Sequence, residues 1–169
     1  MTRIKRISFF VMIFLLISVG MVYAESVGKE TLQGLKGVNV WVGTIGSDVE
    51  KDGFSINPIQ TDIELKLRMV GIKVLTKEEL IKEPGMPILF VSIGGIKNIV
   101  GVWAFFINVK LLQQVYLLRD INLLYPAPTW TSGGFMGFRF GSEKNSIRDI
   151  VKDQVDEFIN DYLAVNPKE

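Results

Sequence analysis

The sequence predicts an α/β (α+β) domain, a mixed sheet of about five strands with its two main helices packed on one face. Three patterns lead there. Val38, Val40 and Val42 alternate with Asn39, Trp41 and Gly43, and an amphipathic helix and a second apolar strand follow, which together make a βαβ unit. Residues 102–118 form the longest period-two segment, with Trp103, Phe105, Ile107, Val109, Leu111, Val115 and Leu117 on one parity and a more polar set on the other. Residues 143–163 repeat apolar side chains at intervals of three and four, the signature of a helix lying on a sheet.

Taken in order, the first strand is expected over 38–45, followed by a solvated loop from Gly46 to Gly53. Asn57-Pro58 then starts a helix, because Asn can cap and Pro early in a helix loses only an N–H that has no partner there. Ile59, Ile63, Leu67 and Val70 form its apolar stripe, Asp62 and Lys66 an i,i+4 pair on its flank, and Gly71 its C′ stop. A strand over 72–75 leads into a short helix, where Thr76 and Glu79 make a capping box. Glu83-Pro84-Gly85-Met86-Pro87 breaks the chain before a third strand over 88–93. After the long strand, 119–128 reads as a loop, and 129–140 as a fifth strand interrupted by Gly133, Gly134 and Gly137. Ser142 caps the last helix, and Asn166-Pro167 ends it. The order is β-α-β-(short α)-β-β-β-α, and the first crossover should be right-handed between parallel strands.

The first 24 residues speak to location rather than fold. Arg3, Lys5 and Arg6 precede an apolar run at 9–19, and Val22-Tyr23-Ala24 offers small residues before a cut. That order reads as a signal peptide over 1–24, and the protein as exported, periplasmic or secreted. Retention as a signal anchor is the competing reading, although the stretch from Ile7 to Tyr23 has only the shortest length that spans a bilayer. Residues 25–36 are expected as a loose amino-terminal arm and 37–165 as one domain. The signal segment holds three of the 19 basic residues and none of the 18 acidic ones, so the remainder carries 16 against 18, a formal charge of −2. Such a balance gives no reason to expect a nucleic-acid partner, or a membrane partner unless the signal segment is retained.

Composition excludes more chemistry than it suggests. The chain has neither cysteine nor histidine. It therefore has no disulfide, thiolate nucleophile, lipidation cysteine, Ser-His-Asp triad or imidazole metal ligand. Carboxylates remain, and with them hydrolysis by paired acids. The close pair within the first helix, Asp62 and Glu64, is two residues apart and points to different faces. The acids at Asp48, Glu50 and Asp52 include Lys51 and do not follow a calcium-loop pattern, so they read as a polar turn. No catalytic, cofactor-binding or metal-binding residue is assigned, and no cofactor is expected.

Residues 61–68 (TDIELKLR), followed by 71–76 (GIKVLT), and the terminal 155–163 (VDEFINDYL) resemble segments of small exported bacterial proteins of unknown function. The element order is similar, more remotely, to the amino-terminal domain of the periplasmic translocation protein TolB. It also resembles CsgG-like periplasmic domains of curli secretion and the penicillin-binding-protein activators. What this implies is an envelope interaction module rather than an enzyme, with no functional residue to carry across. The chain departs from two of these families by lacking a lipidation cysteine, and from TolB by having no propeller.

Four features can carry such a role. The run 133–141 lacks Walker spacing and a Gly-Lys-Ser/Thr ending, which argues a bulged strand over a phosphate loop. Its Phe135, Met136, Phe138 and Arg139 form the candidate interaction surface, being residue types enriched at interfaces. A weaker candidate is the acidic stripe of the last helix, Asp149, Asp153, Asp156, Glu157 and Asp161, expected on the solvent side opposite Phe158. Leu65 and Met69 fall off the first helix's stripe and are covered either by the amino-terminal arm or by a partner, a second copy among the options. Trp41 and Trp103 are expected in the core, because their neighbours alternate as buried strands do. Function is accordingly read as a non-enzymatic envelope interaction module with an unidentified envelope protein as partner. The alternative is a carrier of an apolar ligand or lipid held between the long strand and the last helix, and a histidine-free carboxylate hydrolase stands third.

Overall fold

A computed structural model describes residues 26–45, 55–97, 102–140 and 144–167. The signal segment, the acidic turn around Asp48–Gly53 and the Ser142 cap lie outside the described residues. A 3-10 turn (Lys29–Leu32) precedes β1 (Gly37–Ile45), α1 (Asn57–Met69), β2 (Lys73–Val74), α2 (Lys77–Leu80) and β3 (Ile88–Lys97). Then come β4 (Val102–Leu117), β5 (Asp120–Thr131), β6 (Phe135–Phe140) and α3 (Lys144–Val165). The α/β class and the mixed sheet are as the sequence predicts. β1 runs parallel to β2 and β3, while β4 is antiparallel to β3, β5 and β6, in the order β2-β1-β3-β4-β5.

Local signals set the helix ends. α1 closes on a Schellman motif, with Gly71 N–H donating to the Arg68 carbonyl at 3.0 Å and Ile72 N–H to the Leu67 carbonyl at 2.9 Å. Gly71 has φ 85°, a value that costs glycine nothing. At the other end the cap position is Ile56 rather than Asn57, and it makes no side-chain cap bond. The capping box of α2 forms in full, at 3.2 Å from Glu79 N–H to Thr76 Oγ1 and 2.9 Å from Thr76 N–H to Glu79 Oε2. The hydrogen bond from Lys73, and after it that from the Thr76 N–H, holds the Glu79 carboxyl below its usual range.

Two expectations about strands are corrected. Residues 119–128 are not a loop: they return along β4 as most of β5, pairing Tyr125 with Val115 and Ala127 with Gln113. Pro126 and Pro128 made the segment read as a break, but β5 is an edge strand, where a residue without an N–H is tolerated. A bulge leaves Thr129 unpaired between Trp130, opposite Leu111, and Pro128, opposite Leu112. Ser132–Gly134 then separates β5 from β6, and both lie along the same edge of β4. What read as one interrupted strand is two, which raises the sheet to six strands.

The core lies between one face of the sheet and α1 and α3. Val38, Val40 and Val42 of β1, Leu89, Val91 and Ile93 of β3, and Phe105, Ile107, Val109 and Leu111 of β4 are all buried against it. Ile59, Ile63 and Leu67 of α1 meet them, as do Val151, Val155, Phe158 and Ile159 of α3. Trp130 and Phe158 pack edge to face, with centroids 5.2 Å apart. The expected Asp62–Lys66 pair does not form. Asp62 instead takes Arg148 and Lys152 of α3, and Lys66 takes Asp156 at 2.6 Å, so both charges bridge the two helices.

The segment expected as a loose arm is fastened to the domain. Leu32 is fully buried, and Val27 and Thr131 exchange backbone hydrogen bonds at 2.9 and 3.0 Å. Asn166 Nδ2 donates to the Leu32 carbonyl, and the Tyr162 hydroxyl donates to the Leu35 carbonyl, each at 2.8 Å. Polarity and two glycines suggested mobility, but the polar groups are what tie the arm down. Burial raises the Tyr162 pKa above its ordinary 10.0, because the fold favours the neutral hydroxyl. That contribution is complete below the unfolded value near pH 10 and is lost as pH rises through the raised one. Thermal melts taken up to about pH 11 should therefore show a steeper alkaline loss for the natural protein than for Tyr162→Phe. Parallel losses would mean that the Tyr162 hydroxyl is not buried.

Candidate functional site

The pleat of β6 divides the surface that its sequence suggested. Phe135 lies opposite Ile107 on the helix-covered face and stacks on Phe105 at 5.7 Å, so it belongs to the edge of the core. Met136, opposite Phe106, and Phe138, opposite Ala104, point the other way, and each is 76% exposed. Arg139 holds the register position opposite Trp103, and the side chains of both lie outside the described residues. Of the four candidates, the structure therefore brings Met136 and Phe138 together and assigns Phe135 to packing.

The face that carries Met136 and Phe138 is larger than β6, and neither α1 nor α3 covers it; the short α2 reaches only its β1 end, where Lys77, Leu80 and Ile81 line a cleft with Trp41. Trp41 is 58% exposed there, which corrects its expected place in the core. Alternation in β1 identified two faces correctly, but Val38, Val40 and Val42 occupy the core side and Trp41 the other. Its ring leans on Phe90, with centroids 5.5 Å apart. Ile96 and Phe106 are exposed on the same side. Two glycines explain how the rings lie flat. A Cβ on Gly94, opposite Phe106, would come within 2.3 Å of that ring, and one on Gly43 within 3.1 Å of Phe90. Sequence reading missed this face because its apolar residues sit on four strands, and outside β6 each is too sparsely apolar on that parity to stand out.

Polar groups on the face are few. Ser92 Oγ donates to the Asn108 carbonyl at 3.2 Å, and Lys110 of β4 and Thr131 of β5 face each other one step along from Asn108. A cleft of about 450 Å³ opens between Phe106, Asn108, Gly134 and Met136. A neighbouring one of about 300 Å³ opens between Asn108, Lys110, Thr129 and Val27. No carboxylate lines either cleft, so neither offers an acid/base pair. Among the described residues, no three acids gather to hold a metal ion.

The acidic stripe comes apart when its partners are traced. Asp156 is paired with Lys66, and Glu157 accepts the Gly133 N–H and the Gln154 amide at 3.1 Å each. Asp161 accepts the Trp130 indole N–H at 2.9 Å and the Ser26 hydroxyl at 2.6 Å, with Lys29 at 3.7 Å. Glu157, expected exposed, is half-buried and holds the turn between β5 and β6. Only Asp149 and Asp153 stay in the solvent, Asp149 beside Lys152 at 3.7 Å. A helical wheel shows which side of α3 is polar, but it does not show that the arm and β5 reach round to meet that side. Leu65 and Met69 of α1 are exposed, at 55% and 78%.

Compared with known proteins, the chain matches no family model and no curated protein closely enough to count as a relative.

Proposed function

We propose that this protein is an interaction module of the cell envelope, exported by its amino-terminal segment, that docks a partner protein on the face of its sheet that α1 and α3 leave open. The observation that carries the reading is the cluster of Phe106, Met136 and Phe138, with Ile96 and Trp41 on the same side, left in solvent although the opposite face of the same strands is buried. An exposed apolar patch spread over several strands marks an interaction site, whereas single exposed apolar residues do not. Aromatic residues and Met are the types enriched at such sites. The basic, apolar, small order of residues 3–24 supports export, and the similarity of element order to TolB-like and CsgG-like envelope domains points the same way. Catalysis has little to work with. The chain lacks cysteine and histidine, and Asp62, Glu64, Asp156, Glu157 and Asp161 are each engaged in a structural contact.

A carrier of apolar ligands would need open space where α3 meets β4. That space is filled by Phe105, Val109, Leu111, Val155 and Phe158, none more than 7% exposed. The test is crosslinking in cells, with the captured partner identified by mass spectrometry. Met136→Ser with Phe138→Ser should abolish capture and leave the melting temperature nearly unchanged, since exposed substitutions cost about 0.5 kcal/mol or less. Phe135→Ser is the contrasting variant and should lower stability instead, because its ring rests on Phe105. Undiminished capture by the double variant would overturn the proposed surface.

A further inference from the structure

β1 is paired with β3 from Asn39 to Ile45 but with β2 only at Gly37 and Val38. Asn39 N–H donates to the Pro87 carbonyl at 2.9 Å, so the odd-numbered residues of β1 turn their main chain toward β3. The even-numbered ones turn it the other way, where Leu75 N–H donates to the Val38 carbonyl at 2.8 Å. A parallel ladder would continue with Val40 N–H donating to the Leu75 carbonyl. Asn39 Nδ2 takes that carbonyl instead, at 2.8 Å, and the Thr76–Glu79 capping box turns the chain away into α2. The main chains of Val40 and Val42 are left without a hydrogen bond among the described residues.

This open edge lies at a cleft of about 660 Å³, a size within the roughly 300–1,000 Å³ of ligand sites. Val40 and Trp41 line it from β1, Gln60 from α1, and Lys77, Leu80 and Ile81 from α2. Val40 is 4% exposed, and main-chain groups so little exposed are rarely left without a partner. Ile81 is 72% exposed, and with Trp41 it sets apolar side chains beside the edge. Glu79 is taken by Lys73 at 2.6 Å, whereas Lys77 has no ion pair among the described residues and no carboxylate lines the cleft.

We propose that this cleft takes an extended peptide segment of another protein, which adds as a strand to the free edge of β1 and brings a carboxylate to Lys77. Main-chain donors and acceptors repeating along a strand edge are matched by another extended main chain, so Val40 and Val42 select a strand over a lipid or a sugar. Alternate side chains of that strand meet Trp41, Leu80 and Ile81 in the cleft. The free cation and the absence of acids from the lining favour an acidic residue in the segment. β1 of a second copy does not fit, because it brings its own α2 to the same edge and the two helices collide with the opposing strands. The groove goes beyond the proposed docking face and shares only Trp41 with it.

Peptide titration combined with amide hydrogen exchange of the protein, purified as the cell makes it, tests this. The probe is a peptide of about eight residues, within the ordinary length of a strand, alternating valine and threonine with a glutamate at each end. The control peptide carries lysine at each end. The glutamate peptide should bind about tenfold more tightly than the control, and Lys77→Glu should reverse that order. Its binding should slow exchange of the Val40 and Val42 amides about tenfold or more. Methylating the peptide nitrogens of one alternate set should abolish binding, while methylating the other set should not. Ile81→Asp should weaken both peptides with unchanged circular dichroism. Equal affinities for the two peptides overturn the proposal, as does no binding at any soluble concentration. Binding that leaves exchange at Val40 and Val42 unaltered overturns it too. Protection of both amides in a free protein that sediments as a dimer would give the edge to a second copy instead. Partner capture in cells is read on Met136 and Phe138 and peptide binding on α2, so either can fail without the other.

Discussion

Phe158→Ala is expected to leave the domain largely unfolded. The ring is fully buried, packs edge to face on Trp130 and lies 6.3 Å from Tyr162. Val151 and Val155 flank it on α3, and Leu111 belongs to the same buried cluster. Truncating such a side chain costs about 3–5 kcal/mol, the lost transfer energy together with the cavity left behind. That is a large part of the roughly 5–15 kcal/mol that holds a domain together. Loosening Trp130 also withdraws the N–H that reaches Asp161, so the damage should spread to the amino-terminal arm. Thermal denaturation followed by circular dichroism would show it as a fall of about 10 °C or more. A variant as stable as the natural protein would mean that α3 is not docked on the sheet.

This core was legible in the sequence because the two periodicities that build it are strong. Val38, Val40 and Val42, the odd positions 105–111, and the three-and-four spacing from Ile147 to Ile159 each specify a buried face, and those faces meet. Gly71 and the Thr76–Glu79 box were readable for a different reason: their mechanism is complete within a few residues. The errors have one physical source, namely contacts between residues far apart in sequence. Pro126 and Pro128 signal a loop unless an edge position beside β4 is known to be available. Ser26, Thr31 and Gly34 look unstructured until Asp161, Thr129 and Asn166 are found to receive them. Trp41 was assigned to the wrong face because alternation defines two sides and does not say which one the helices cover. The candidate site suffered in the same way. The sequence identified β6 as its source, yet only pairing with β4 separates Met136 and Phe138 from Phe135.

The acids of α3 provide the sharpest contrast between sequence pattern and energetics, and Asp161→Ala is the second large effect expected. The Trp130 side chain is buried and its indole N–H donates to Asp161, so removing the carboxylate leaves a donor without water or partner. The Ser26 hydroxyl loses its acceptor and Lys29 its counter-charge in the same step. Hydrogen bonds to a charged group together with an unsatisfied buried donor amount to about 2–4 kcal/mol. Asp149→Ala, on the same helix and with the same change in charge, removes an exposed carboxylate and should cost about 0.5 kcal/mol or less. Asp161→Asn keeps an oxygen for the indole and should fall between the two. Thermal melts order the three variants, and limited proteolysis adds a local readout. Release of the arm exposes the backbone around Ser26–Lys36, so Asp161→Ala should be cut there well before the domain melts, while Asp149→Ala should resist as the natural protein does. Equal behaviour of the two alanine variants would return the acidic stripe to a plain solvated face, with Asp161 no longer the point where helix, edge strand and arm are joined.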